Sequence, residues 1–144
     1  MLILLSLIVF VTSGAATLAR DGAALRKSVA RHAAANGVPP ALAHAVVVLE
    51  STYRPSIVHK GNYGLMQIRL GTARAMGFRG GPRQLLQPDI NLRYGMKYLA
   101  RAWKGSGGNV CGTIHRYRTG FAAGRLSRAT LTYCARAKRL MAKR

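Results

Sequence analysis

The chain has 144 residues, 49% of them hydrophobic, which suits one domain that buries a core without a structural metal or a dense set of crosslinks. Its charge is one-sided: 23 Lys and Arg stand against three acids, Asp21, Glu50 and Asp89, for a formal net charge of +20. Such a field favours polyanions (nucleic acid, anionic membrane or an anionic polymer) and gives the sign of a partner without its identity.

Residues 2–11 are an apolar run, followed by small residues ending in Gly14-Ala15-Ala16, the pattern of an export signal. The run is too short for a comfortable membrane span. No Lys or Arg precedes it, so the usual positive start is missing. A cleaved signal over residues 1–16 is expected, with an uncleaved anchor as the alternative and the only route to a membrane. The protein is then periplasmic or secreted, and residues 20–144 form the working domain.

From there the sequence reads as helix after helix with no run of strand alternation, an all-α domain. Asp21 is expected to cap a first helix that closes at Asn36-Gly37. Pro39-Pro40 start a second, whose stripe of Leu42, Ala45, Val46 and Leu49 marks one buried face. Pro55 bars its continuation and leaves Glu50 in or just beyond the last turn. The glycine-flanked GNYGLMQI reads as irregular or briefly extended, 72–76 as a short helix, and GFRGGPRQLLQP as a loop.

Asp89, after Pro88, is expected to cap a long helix to about Lys104 with Leu92, Gly95, Leu99 and Trp103 on one face. GSGGN breaks the chain. Asn109 then opens a helix through Tyr117, with Val110, Cys111, Ile114 and Tyr117 facing in. Ser127 caps the last helix, which carries Leu131, Cys134 and Ala135 toward the core.

Two cysteines, Cys111 and Cys134, point to one disulfide in an oxidising compartment, and it would join the last two helices; two buried free thiols are the alternative. Cys111 and His115 lie one helical turn apart, but only Cys134 and scattered histidines remain to complete a zinc site. No metal and no cofactor are expected.

Elimination narrows the chemistry. No glycine loop ends in Lys-Ser or Lys-Thr, and Ser106 lies in a glycine linker rather than a strand-to-helix elbow. Both aspartates read as helix caps. That leaves Glu50, the only glutamate, placed after Val46-Val47-Val48-Leu49. Apolar neighbours and the negative end of a helix dipole both raise a carboxyl pKa, and a protonated carboxyl can act as a general acid. A surface glutamate paired with Arg54 is the competing reading, and the residues alone leave both open.

ESTYRP followed by GLMQI resembles the soluble lytic transglycosylases of the goose-type lysozyme-like superfamily, including its small secretion-associated members. The resemblance continues through Asn91, Gly95, Tyr98 and Leu99 in NLRYGMKYLARAW, and through Tyr117 and Gly120 in RYRTG. Four motifs in order cover roughly residues 38–120. The resemblance implies a lysozyme-like helical fold and cleavage of the MurNAc-GlcNAc β-1,4 bond without water, leaving 1,6-anhydromuramic ends.

By the same resemblance Glu50 is the sole catalytic acid/base, and Ser51 helps to place the sugar. Met66 and Gln67 form the floor of the glycan groove, and the Tyr117 hydroxyl faces the reaction centre. Asn91 is implied to support structure. Arg116 and Arg118 depart from the family's alanine and asparagine, and Leu70 from its usual proline. A cation at position 118 suits an anionic glycan.

The implied partners are peptidoglycan glycan strands and a cell-envelope secretion complex, with no specific nucleic acid. A hydrolytic lysozyme-type muramidase and a non-catalytic cationic envelope component are the rival readings.

Overall fold

The computed structural model describes residues 13–121 and 124–143, so the apolar run at 2–11 lies outside the described residues. Among the described residues six α-helices carry the fold: α1 (Ser13–Ala35), α2 (Pro40–Ser51), α3 (Leu70–Ala75), α4 (Pro88–Gly105), α5 (Val110–Thr119) and α6 (Arg128–Ala142). Between α2 and α3 runs a small antiparallel sheet, β1 (Val58–His59), β2 (Asn62–Tyr63) and β3 (Ile68–Arg69), in the order β1-β2-β3. A 3₁₀ helix, Pro82–Leu86, precedes α4. The domain is helical as expected, and the glycine-flanked stretch supplies the sheet. No helix among the described residues is long and apolar enough to cross a membrane.

The helix ends follow local chemistry. Gly37 takes φ +67°, and Val38 N–H reaches back to Ala33 O at 3.0 Å, a Schellman closure of α1 with Val38 buried beneath it. Pro40 sits in the first turn of α2. Asn109 and Ser127 cap α5 and α6 by accepting from Gly112 N–H and Thr130 N–H.

Neither aspartate is a cap. The start of α1 precedes Asp21 by two turns, because an alanine-rich segment has nothing to break it. The N-cap of α4 is Gln87, and Asp89 lies in the first turn. There its carboxylate accepts from His32 at 2.8 Å, Arg31 at 3.3 Å and Arg93 at 3.4 Å, tying α1 to α4. The hydrogen bond from His32 leads the influences that hold the Asp89 pKa below its ordinary value.

The main core packs α1, α2 and α4 around Val29, Leu42, Val46, Leu92, Met96 and Leu99, with Leu65 and Met66 inserted from the loop before β3. A second cluster joins α2, α5 and α6 through Ala45, Ile114, Cys134 and Ala137. The inward face of α6 differs from expectation. Leu131 is half exposed and Ala135 is exposed, while Thr130, Cys134 and Ala137 are buried. The Cys111–Cys134 disulfide, with Cα atoms 5.2 Å apart, fixes that rotation.

Asn91 is the polar centre of this packing. It is fully buried; its Oδ1 accepts from Met66 N–H at 2.8 Å, and its Nδ2 donates to Tyr63 O at 2.8 Å and Leu85 O at 2.7 Å. The fit is close: a Cβ on Gly64 would fall 2.5 Å from Asn91 Nδ2, and one on Gly95 would fall 2.6 Å from Met66 Sδ. Gly64 also has φ +70°, so a side chain is excluded there on two grounds.

Asn91→Ala leaves buried donors and acceptors without partners, at about 1–3 kcal/mol for each group. Chemical denaturation should register a loss of about 3 kcal/mol or more, and a loss below 1 kcal/mol would contradict this role. Reducing the disulfide frees a loop with a sequence separation of 23. Its removal should cost about 2–4 kcal/mol in the same assay.

Candidate active site

Glu50 emerges in the last turn of α2, where the chain turns sharply. Thr52 and Tyr53 both adopt positive φ, 51° and 59°, and Thr52 N–H closes on Val48 O. The carboxyl meets α6: Tyr133 O–H donates to Glu50 Oε1 at 2.8 Å. Arg118, near the end of α5, stands over the Tyr133 ring with its guanidinium carbon 5.0 Å from the centroid. Arg54 does not pair with Glu50; its Nε donates to Ser51 O at 3.2 Å.

Burial pushes the Glu50 pKa above its ordinary value, and the Tyr133 hydrogen bond and the Arg118 charge oppose that rise in part. Tyr133 is itself raised far beyond the usual phenol range, first by burial and then by the neighbouring carboxylate. It therefore stays a donor. Because Tyr133 occupies Oε1, the proton of the neutral acid belongs on the other carboxyl oxygen.

Two adjoining cavities run past this group. The first, about 410 Å³, is lined by Glu50, Ile57, Val58 and His59 along one side. The second, about 450 Å³, continues past Arg69, Thr72 and Tyr98. Asn62, Gln67, Tyr117 and Arg118 line both, so together they form one cleft. Among the described residues, Glu50 is the only carboxyl that lines it.

The other sequence-derived candidates divide. Gln67 lies on the cleft floor with φ +46°; its Nε2 donates to Gly64 O at 2.9 Å and Ile57 O at 3.2 Å, leaving Oε1 as an acceptor. Tyr117 lines the cleft, but its hydroxyl donates to Met66 O at 2.7 Å rather than to Glu50. Burial, with Glu50 next in effect, keeps that phenol well above its ordinary pKa. Met66 is fully buried and belongs to the core beneath the floor.

Ser51, 2% exposed, places its hydroxyl 2.8 Å from Leu65 O and 3.1 Å from Val47 O. It ties the end of α2 to the floor and does not line the cleft. Cys111 is bonded to Cys134, so the Cys111–His115 pairing offers no thiolate to a metal.

Tyr133 was not among the sequence candidates. The signal that leads to it is Cys134: a bridge to Cys111 on α5 carries the neighbouring Tyr133 to the side of the cleft that Tyr117 and Arg118 line. Asn62 and His59 on the small sheet were missed as well, and two-residue strands leave no pattern to read.

The Transglycosylase SLT domain family matches residues 27–139. Among curated proteins, the endo-type membrane-bound lytic murein transglycosylase A of Klebsiella pneumoniae is 40% identical over 75 residues, 46% of this chain and 37% of that protein. Its counterpart in an Enterobacter species is 39% identical over 72 residues, 44% of this chain and 36% of that protein. The chain spans little more than a third of the length of these relatives.

Among solved structures, an inactive variant of the lytic transglycosylase Slt from Pseudomonas aeruginosa superposes with a TM-score of 0.72 at 21% identity. The match covers 81% of this chain and 23% of that one, and shows a common fold. The 70 kDa soluble lytic transglycosylase in complex with bulgecin A gives 0.63 at 25% identity, over 78% of this chain and 18% of that one. The family match, spanning α1 through α6 and including every element that builds the Glu50 cleft, establishes that the chain belongs to the Transglycosylase SLT domain family.

Proposed function

We infer that the protein is a peptidoglycan lytic transglycosylase that cleaves the bond between MurNAc C1 and GlcNAc O4, with Glu50 as its sole general acid and base. The observation that carries this reading is a half-buried carboxyl, held by a phenol that stays protonated, in a cleft that no second acid among the described residues lines. Retaining and inverting glycosidases each need two carboxylates. One suffices when the substrate supplies the second group.

In the proposed reaction Glu50 gives its proton to the glycosidic oxygen as the C1–O4 bond breaks. The N-acetyl oxygen of the same muramoyl sugar stabilises C1. The Glu50 carboxylate then takes the proton from the C6 hydroxyl, whose oxygen closes on C1. The acid is regenerated, no water is consumed, and a 1,6-anhydro end remains. Intramolecular attack supplies the entropic advantage that a bound water would otherwise have to match. Tyr133 and Arg118 favour the carboxylate that exists between the two proton transfers. Burial favours the neutral acid at its start.

The support for peptidoglycan as substrate is the family, together with a cationic surface suited to a polymer bearing stem-peptide carboxylates. Work outside the cytoplasm agrees with the disulfide. It also agrees with an export segment over residues 1–16, ahead of the catalytic domain. Docking to a secretion complex rests on the sequence resemblance alone.

Glu50→Gln preserves shape and still accepts from Tyr133, but has no proton to transfer. Release of anhydro-ended muropeptides, read by mass spectrometry, should fall about a hundredfold or more. Activity within a few-fold of the native protein would sink the assignment, and free reducing ends in place of anhydro ends would make the enzyme a hydrolase.

The raised carboxyl pKa sets a sign for stability. The folded state holds the Glu50 proton more tightly than the unfolded chain, so its contribution is full below the ordinary carboxyl pKa and is lost as pH rises through the raised value. Glu50→Gln should therefore melt no lower than the native protein near neutrality, and its advantage should shrink as pH falls from the raised pKa to that of an ordinary glutamate, with no further change below it. Cleavage by the native enzyme should decline over the same rise in pH.

A further inference from the structure

We propose that Arg118 is a specificity-determining residue that binds a carboxylate on the muramoyl substituent of the substrate, at the Glu50 end of the cleft. The proposal rests on the reading of this cleft as a glycan site.

Three observations carry it. First, Arg118 lines both cavities, whereas Arg69 lines only the second and does not reach the cavity that holds Glu50. Second, the guanidinium lies over the Tyr133 ring, and stacking on an aromatic face orders a planar cation while leaving its N–H edge free to donate.

Third, its charge has no partner carboxylate among the described residues. Among the described residues every ion pair ends on Asp89, which bridges α1 and α4. No nitrogen of Arg118 lies within 4.0 Å of a Glu50 carboxyl oxygen, and Oε1 accepts from Tyr133 instead. A preoriented guanidinium edge at the junction of a cleft therefore lacks a carboxylate among the described residues. The influence of Arg118 on Glu50 is long-range and agrees with this placement.

The substrate can supply the missing group. The alternating sugars are neutral apart from the lactyl ether on O3 of the muramoyl ring, the ring whose C1 is attacked. Without a stem peptide that ether ends in a carboxylate; with one it ends in an amide, and the first free carboxylates lie further along the peptide. A guanidinium takes a carboxylate through two parallel N–H···O bonds, a geometry that an amide cannot reproduce. The shared chemistry is a carboxylate on the muramoyl substituent, from the lactyl group or from the stem.

The test uses glycan strands of one length in three forms: peptide-free with the lactyl acid, peptide-free with that acid converted to its primary amide, and peptide-bearing. The acid-to-amide ratio of kcat/KM is measured for the native chain, Arg118→Met and Arg118→Lys. The corresponding ratio of Kd is measured in the Glu50→Gln background.

The native chain should prefer acid to amide about tenfold, the size of a charge-assisted hydrogen-bond pair. Arg118→Met should bring both ratios near one, with Arg118→Lys between. Peptide-bearing strands that follow the acid form, and lose that preference with Arg118→Met, make the stem the source. Strands that follow the amide make it the lactyl group. If Arg118→Met does not fold, the native ratio and its fall in Arg118→Lys decide.

A native ratio near one together with no Arg118-dependent preference for peptide-bearing strands, or ratios that Arg118 variants leave unchanged, overturns the proposal while lytic activity stands. Absence of cleavage with an Arg118-dependent Kd ratio overturns the lytic reading and leaves Arg118 assigned.

Discussion

The structure turns on a buried amide. Asn91 satisfies one backbone donor and two backbone acceptors drawn from the sheet, the cleft floor and the 3₁₀ helix, while belonging to the central helix α4. A loop brought into a core exposes backbone groups that water can no longer reach, and each is costly unless paired. One side chain removes that cost at three points. The floor then has a fixed height above α4, and Gly64 and Gly95 permit the approach. Met66 enters the core, its carbonyl receives Tyr117, and Gln67 is turned into the cleft. The residue that organises the groove lines neither of its cavities.

On that floor the electrostatics of Glu50 are a balance of opposed effects. Burial alone would make the acid reluctant to ionise; a phenol donor and a nearby guanidinium alone would make it reluctant to hold a proton. In the proposed reaction one acid does both in a single cycle, and such an acid needs neither effect to win by a wide margin. Burial is the largest influence and the other two oppose it, which is the ordering that leaves a proton to give. The three contributions come from α2, α6 and α5, so the site depends on the way these helices pack and not on any one of them.

Much of this was legible beforehand. Helices with strong local signals stand where they were expected: α2 behind its prolines, α5 and α6 behind Asn109 and Ser127. The position of Glu50 at the end of α2 follows from Pro55 and the apolar stripe before it. Asp21 misled because the alanine-rich chain before it is also helical and carries the helix through a residue that would by itself favour the N-cap. The face of α6 misled because hydrophobicity favoured Leu131, whereas Thr130 goes inside with its hydroxyl paired to Ser127. The sheet left no alternation in strands of two residues. The resemblance has the Tyr117 hydroxyl facing the reaction centre to orient the acid or the substrate; what motif position does not reveal is that it donates to the Met66 carbonyl, 51 residues away.

The hydroxyl that does reach Glu50 belongs to a residue 83 positions later, on the last helix of the fold. A chain emerging in order therefore completes α2, the floor and α5 before it has made the group that holds the carboxyl. Until α6 docks, Ala45, Ile114 and the apolar side of α5 have lost the face that covers them, and Glu50 faces solvent where Tyr133 will stand. An acid in water titrates as an ordinary glutamate. The pocket is thus a joint product of α2 and α6: without the packing of α6 on the second cluster, Glu50 has neither the phenol donor nor the cover that helix supplies.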